Sequence, residues 1–104
     1  MKRRSGEYTL TPGALEDLLS IRSYLVLQGE DGWPIVRREL QKSFNILASF
    51  PHLGRVHLEW ASDRYRFLPV FSYEVMYRKD PDEVTIIRVI QGARDVGRVL
   101  KGGS

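Results

Sequence analysis

Thr85 to Asp95 reads TIIRVIQGARD, and the fold turns on how this stretch is understood. Thr85, Ile86, Ile87, Val89 and Ile90 are β-branched and fall on both faces of an extended chain, the pattern of a strand buried between two layers. Arg88 interrupts the run, and Gly92 ends it with the backbone freedom that a sharp exit needs. A guanidinium inside such a strand must be paired, and Glu74 on a neighbouring strand is the expected partner.

Upstream lie two more stretches rich in β-branched and aromatic residues, Arg64 to Leu68 (RYRFL) and Tyr73 to Arg78 (YEVMYR). With Glu83 to Gln91 they are separated by PVFS and KDPD, both of turn character, so the three form an antiparallel meander. The third is the most apolar on both faces and takes the central place, with a short first strand, Glu7 to Leu10, beside it. Beyond Gly92, Ala93 to Leu100 has room for one or two helical turns ending at Gly102.

The first half of the chain supplies the cover for this sheet. Thr11 can cap a helix that has Pro12 in its first position. Ala14, Leu18, Ile21 and Leu25, widened by Leu15 and Tyr24, form one apolar face as far as Gln28. GEDG breaks this helix, Asp31 is the expected cap of the next, and Pro34 sits in its first turn. Val36, Leu40, Phe44 and Leu47 make the second stripe, with Arg37, Arg38, Glu39 and Lys42 opposite, until Pro51 ends the helix. So short a connection predicts an antiparallel helix hairpin. His52 to Asp63 has no sustained period and reads as an ordered loop that tucks Leu53 and Trp60 inward. The expected architecture is α+β, ordered β-α-α-β-β-β with a short final α, a helix hairpin packed on one face of a small antiparallel sheet. It occupies residues 7–100 as a single domain, with 1–6 and 101–104 as flexible tails.

Composition limits the chemistry. The 104 residues contain no cysteine, which removes disulfides, thiol catalysis and thiolate zinc sites and suits a reducing compartment. No apolar run reaches the roughly 20 residues of a membrane span, and the N-terminus lacks the apolar segment of a signal peptide, so a cytoplasmic location is expected. A net charge of +3 permits an acidic partner without the dense cationic stripe of a dedicated nucleic-acid binder. Arginine greatly outnumbers lysine, which favours carboxylate, phosphate and protein-interface contacts.

Familiar motifs fail. GARDVGRV spaces Gly92 and Gly97 as a phosphate loop does, but Arg98 and Val99 stand where Lys and Ser or Thr are needed. His52 and His57, near Glu59 and Asp63, match no metal-ligand spacing, and no serine sits in a nucleophile elbow. What remains is arginine: Arg64, Arg66, Arg78 and Arg88 on strands, and Arg94 just beyond. Either several of them line the exposed face of the sheet as a basic, partly aromatic surface, or Arg88 is paired internally and the others are solvated.

YTLTPGALEDLLSIRSYL, FPHLGR, YRFLPVFSYEVMYR and IIRVIQGARD, in this order, resemble the ParE branch of the RelE/ParE toxin superfamily over about Tyr8 to Leu100. The resemblance implies the helix hairpin and meander, the strand of Arg88 at the sheet's centre, and GARD as a signature where the chain leaves it. It also implies the toxin component of a type II toxin-antitoxin system, neutralised by a cognate antitoxin in a hetero-oligomer and acting on DNA gyrase by protein binding. The RelE-like alternative, a ribosome-dependent mRNA endoribonuclease, requires several cationic or acid-base groups to converge on one phosphate. At its positions this chain has Tyr65, Phe67, Glu74, Arg94 and Leu100, of which only Arg94 fits, and Gln91 stands where ParE-like members often carry histidine. A third reading is a degenerate member competent only towards its antitoxin. Arg66, Arg78, Arg94 and Arg98 are the expected contacts to antitoxin or target. No catalytic residue, metal, cofactor or sequence-specific nucleic-acid contact is expected.

Overall fold

The computed structural model describes residues 7–29 and 32–101, with every side chain among them except that of Arg94. The expected cap at Asp31 and the tails, apart from Lys101, lie outside the described residues. The elements run β1 (Tyr8–Leu10), α1 (Pro12–Leu27), α2 (Gly32–Ser49), β2 (Arg66–Val70), β3 (Tyr73–Lys79), β4 (Val84–Gln91) and α3 (Ala93–Leu100). Thr11 caps α1 as its sequence predicts, its hydroxyl accepting from the Ala14 amide at 3.0 Å.

The sheet order is β1-β4-β3-β2. The meander is antiparallel, but β1 joins β4 in parallel, so the sheet is mixed. Leu40, Phe44 and Leu47 of α2 and Ala14 and Ile21 of α1 are buried against Tyr73, Val75, Tyr77, Val84, Ile86 and Val89. Fully burying one such Leu or Phe contributes about 1.5–3 kcal/mol. Leu15 and Tyr24 do not widen this face; both are about half exposed, because α1 lies over β4 on a narrower stripe.

One β-bulge explains how β4 is apolar on both faces. Tyr77 faces Ile86 while Met76 faces Arg88, leaving Ile87 unpaired. The extra residue shifts the parity, so that Val84 and Ile86 before it and Val89 after it all face the helix hairpin. Ile90 turns the other way with Phe67, Met76 and Val96.

That second face is not an open basic surface. Val96 of α3 and the half-buried Trp60 cover it, with Trp60 edge-on to Phe67 at 4.9 Å and stacked on His57 at 4.2 Å. Leu53, unlike Trp60, stays outside at 53% exposure. Pro51 and Gly54 are the buried residues of that turn, because the Tyr77 hydroxyl reaches in from β3 to accept from the Gly54 amide at 2.8 Å and donate to the Pro51 carbonyl at 2.7 Å. β2 runs through Pro69 and Val70, later than its sequence suggests, which confines the hairpin turn to Phe71 and Ser72. Phe71 has φ 55° there. Among the described residues, no helix is long and apolar enough to cross a membrane.

Candidate functional site

β1 stops at Leu10, whereas β4 continues to Gln91, so the edge of β4 beyond Ile86 needs another partner. The start of α1 provides one. The Thr11 hydroxyl donates to the Ile87 carbonyl at 2.7 Å, and the Asp17 carboxylate accepts from the Val89 amide at 2.8 Å. The same carboxylate takes both arms of Arg88, Nε at 2.7 Å and Nη2 at 3.0 Å. The bonds from Asp17 hold the Arg88 guanidinium firmly protonated, raising its pKa against the opposing cost of burial.

Arg88 is therefore paired, as a charge in a buried strand must be, but with Asp17 and not with Glu74. Glu74 lies opposite Ile90, on the far side of β3 from the helices, and no ion pair joins it to Arg88. Burial raises its pKa, and the nearby His57 offsets this only in part. Asp17 left one trace in the sequence: Gly13, which neither caps nor turns the chain. A Cβ there would lie 3.1 Å from Arg88 Cδ, so the glycine lets the guanidinium pass under the first turn of α1.

This pair forms the floor of a cleft of about 380 Å³ between α1, the end of β4 and α3, lined by both polar and apolar side chains. Ser20 and Tyr24 line one wall, Tyr73 and Gln91 the base, and Asp95 and Arg98 the other wall. Burial, together with the neighbouring Tyr24, pushes the Tyr73 phenol up. Arg98 donates to Asp95 at 2.8 Å, with its side chain 72% exposed. Gly92, at φ 83°, turns the chain out of β4 and sets α3 at the mouth of the cleft. Hydroxyl, amide and phenol groups here can hydrogen-bond a polar partner, and both described guanidinium groups of the lining are already matched by carboxylates.

The remaining expected contacts are scattered. Arg66 donates to the Gly54 carbonyl at 2.8 Å and fixes the loop after α2. Arg78 is bidentate to Asp80, Nε at 2.9 Å and Nη2 at 3.2 Å, and Thr85 donates to the same carboxylate, which closes the β3–β4 hairpin. The Arg94 backbone lies in the first turn of α3, and its side chain is outside the described residues. Of the four, Arg98 lines the cleft, and Arg94 is placed only as a backbone position in the same helix. Phe67 is 1% exposed, inside the cluster beneath Trp60. Among the described residues, no three His, Asp or Glu side chains gather as a metal ion would require.

The family model of the ParE toxin of type II toxin-antitoxin systems, parDE, matches residues 8–96. A solved structure of the chromosomal ParDE toxin-antitoxin system from P. aeruginosa has a chain with the same fold at a TM-score of 0.67 and 19% identity. The match covers 83% of this chain and 95% of that one. Comparison with curated protein sequences returns no match.

Proposed function

This chain belongs to the ParE toxin family of type II toxin-antitoxin systems, and we propose that it arrests growth by binding DNA gyrase as a protein ligand, without chemistry of its own. Membership implies a cognate antitoxin as partner. In this reading the antitoxin neutralises the toxin by covering its surface in the cytoplasm.

The observation that carries the non-enzymatic reading is the state of the cleft: its described guanidinium groups are held by Asp17 and Asp95. Cleaving RNA through its 2'-hydroxyl needs a base, donors to the phosphorane and an acid for the leaving oxygen, all converging on one phosphate. Carboxylates beside each guanidinium work against that, and the buried Phe67 cannot reach a phosphate at all. A cleft of mixed polar and apolar lining with an exposed arginine at its rim suits a protein partner better. Arg94 and Arg98 are the residues proposed to meet gyrase or antitoxin, since Arg66 and Arg78 have internal partners. An exposed pair such as Arg98 with Asp95 is worth little in the free chain and exchanges readily for a partner's carboxylate.

A paired assay tests this. Purified protein is expected to inhibit gyrase supercoiling, to be relieved by its antitoxin, and to leave mRNA intact in a reconstituted translation reaction. Codon-dependent cleavage with gyrase unaffected would select the ribonuclease instead. Antitoxin binding with neither effect would identify a degenerate toxin.

A further inference from the structure

α2 carries a second line of residues beside its buried face. Ile35, Glu39, Lys42 and Ile46 recur at four, three and four residues and so share one flank of the helix. Ile35 and Ile46 are 49% and 38% exposed. Among the described residues, neither Glu39 nor Lys42 has an ion-pair partner. Glu39, Lys42 and Ile46 line an open groove of about 280 Å³, and Pro69, Val70 and Phe71 form its other side. Phe71 stands there at φ 55°, a strained setting for a bulky residue, with 61% of it left to solvent.

The neighbouring edge of β2 is closed to strand pairing. Phe67 is bonded in both directions to Arg55, at 2.9 and 2.8 Å, and Pro69 has no amide to offer. A partner on this side of the molecule must therefore dock through side chains.

The line on α2 is its own complement. A two-fold axis beside the midpoint of Leu40 and Gln41 sets a second α2 antiparallel to the first. Glu39 then meets Lys42 of the other copy, Ile35 meets Ile46, and each contact occurs twice. We propose that this flank of α2, together with Phe71, is the contact between two copies of this chain. The contact needs neither the gyrase nor the antitoxin reading, and none of its residues lines the cleft of Arg88 and Arg98. Phe71 buries its ring against the facing copy, which offsets the strain in its backbone. The charges meeting in register fix orientation more than they add affinity. A net charge of +3 on each copy opposes association weakly, since exposed charges are screened beyond about 8 Å at physiological salt. Roughly 16 Å of helix and one ring from each copy fall short of a standard interface of about 1,600 Å², so the pair is weak, with a Kd on the order of 10–100 μM.

Sedimentation equilibrium of the full chain from about 5 to 500 μM tests this. The parent should pass from monomer to dimer across the range. Glu39→Lys and Lys42→Glu lie off the buried face of α2, and each brings like charges together twice, so each should raise the Kd by about tenfold or more. An equimolar mixture of these two variants should pair as the parent does, because each supplies the charge that the other has lost. Phe71→Gly relieves the backbone strain, keeps the fold and should raise the Kd about fivefold. A parent that stays monomeric at about 500 μM would overturn the proposal. So would a dimer that either charge variant leaves intact, or two charge variants that fail to pair when mixed.

Discussion

Asp17→Ala should destabilise the fold more than Arg88→Ala, although the two residues form one ion pair. Asp17 accepts from Arg88 Nε at 2.7 Å, Arg88 Nη2 at 3.0 Å and the Val89 amide at 2.8 Å. Its loss orphans an amide in a residue only 2% exposed, a cost of about 1–3 kcal/mol, in addition to the pair itself. The Arg88 side chain, 33% exposed, can rehydrate, which holds the pair's share well below that of a fully buried one. The sum is about 3 kcal/mol. Arg88→Ala leaves the Val89 bond in place and strands a carboxylate that is 15% exposed, a cost of about 2 kcal/mol. Asp17→Asn keeps an acceptor for Val89 and should fall below both. The double mutant should show a coupling of about 1–2 kcal/mol. Urea denaturation of the parent and these four variants measures the differences, and thermal melts should follow at about 4 °C or more per kcal/mol. The reasoning is refuted if Arg88→Ala costs more than Asp17→Ala, if the coupling is below about 0.5 kcal/mol, or if Glu74→Ala costs as much as Asp17→Ala.

Gly54→Ala should cost about 3 kcal/mol or prevent folding, because its Cβ would lie 2.6 Å from the Tyr77 hydroxyl and 2.9 Å from the Phe67 carbonyl; a urea midpoint near the parent's would contradict this. Bonds from Arg78 and then Thr85 lower the Asp80 pKa from its ordinary 3.8, so its stabilising contribution is complete above that value and lost as pH falls towards the folded one. Asp80→Asn should therefore remove about 1 kcal/mol at neutral pH and flatten the acid limb below about pH 4, which stability measured against pH will show. Glu74 has the opposite sign: burial raises its folded pKa above the ordinary 4.5, so ionisation opposes folding at neutral pH. Glu74→Gln should stabilise by about 0.5–1 kcal/mol at pH 7 and by nothing below the ordinary value, and a loss at pH 7 would reveal an attractive partner. Phe71→Gly should stabilise the fold by about 1 kcal/mol and raise the urea midpoint, since a bulky residue at φ 55° is strained and this one is 61% exposed; a lower midpoint would show that the ring packs usefully.

The sequence displayed its elements well where period and punctuation agreed. Thr11 and Pro12 start α1, Leu40, Phe44 and Leu47 are the buried face of α2, and Gly92 ends β4, each as local chemistry requires. What it concealed depended on contacts distant in the chain. The partner of Arg88 lies 71 residues away on a helix, at a position that the apolar stripe of α1 does not mark. Strand arginines resemble a basic surface until the bulge and the covering of Trp60 and Val96 are known, because both depend on how the loop and α3 pack. Leu53, expected inside, gives way to Gly54 for a similar reason: a hydroxyl 23 residues downstream from Gly54 decides which of them is buried.

The charge in the central strand follows from the shortness of β1. A longer first strand would satisfy β4 beyond Ile86 with its own backbone, and no side chain would be required there. Because the chain turns helical at Pro12, Thr11 and Asp17 must act as that missing edge, and a carboxylate brought to the Val89 amide needs a cation beside it. Arg88 provides the cation, and Gly13 leaves space for it. Together these contacts tie α1 to the end of β4 from which α3 departs, which sets the width of the cleft. The early stop also leaves the outer side of β1 without a strand partner among the described residues. One local event, a helix cap at residue 11, thus shapes the cleft to which a partner is assigned.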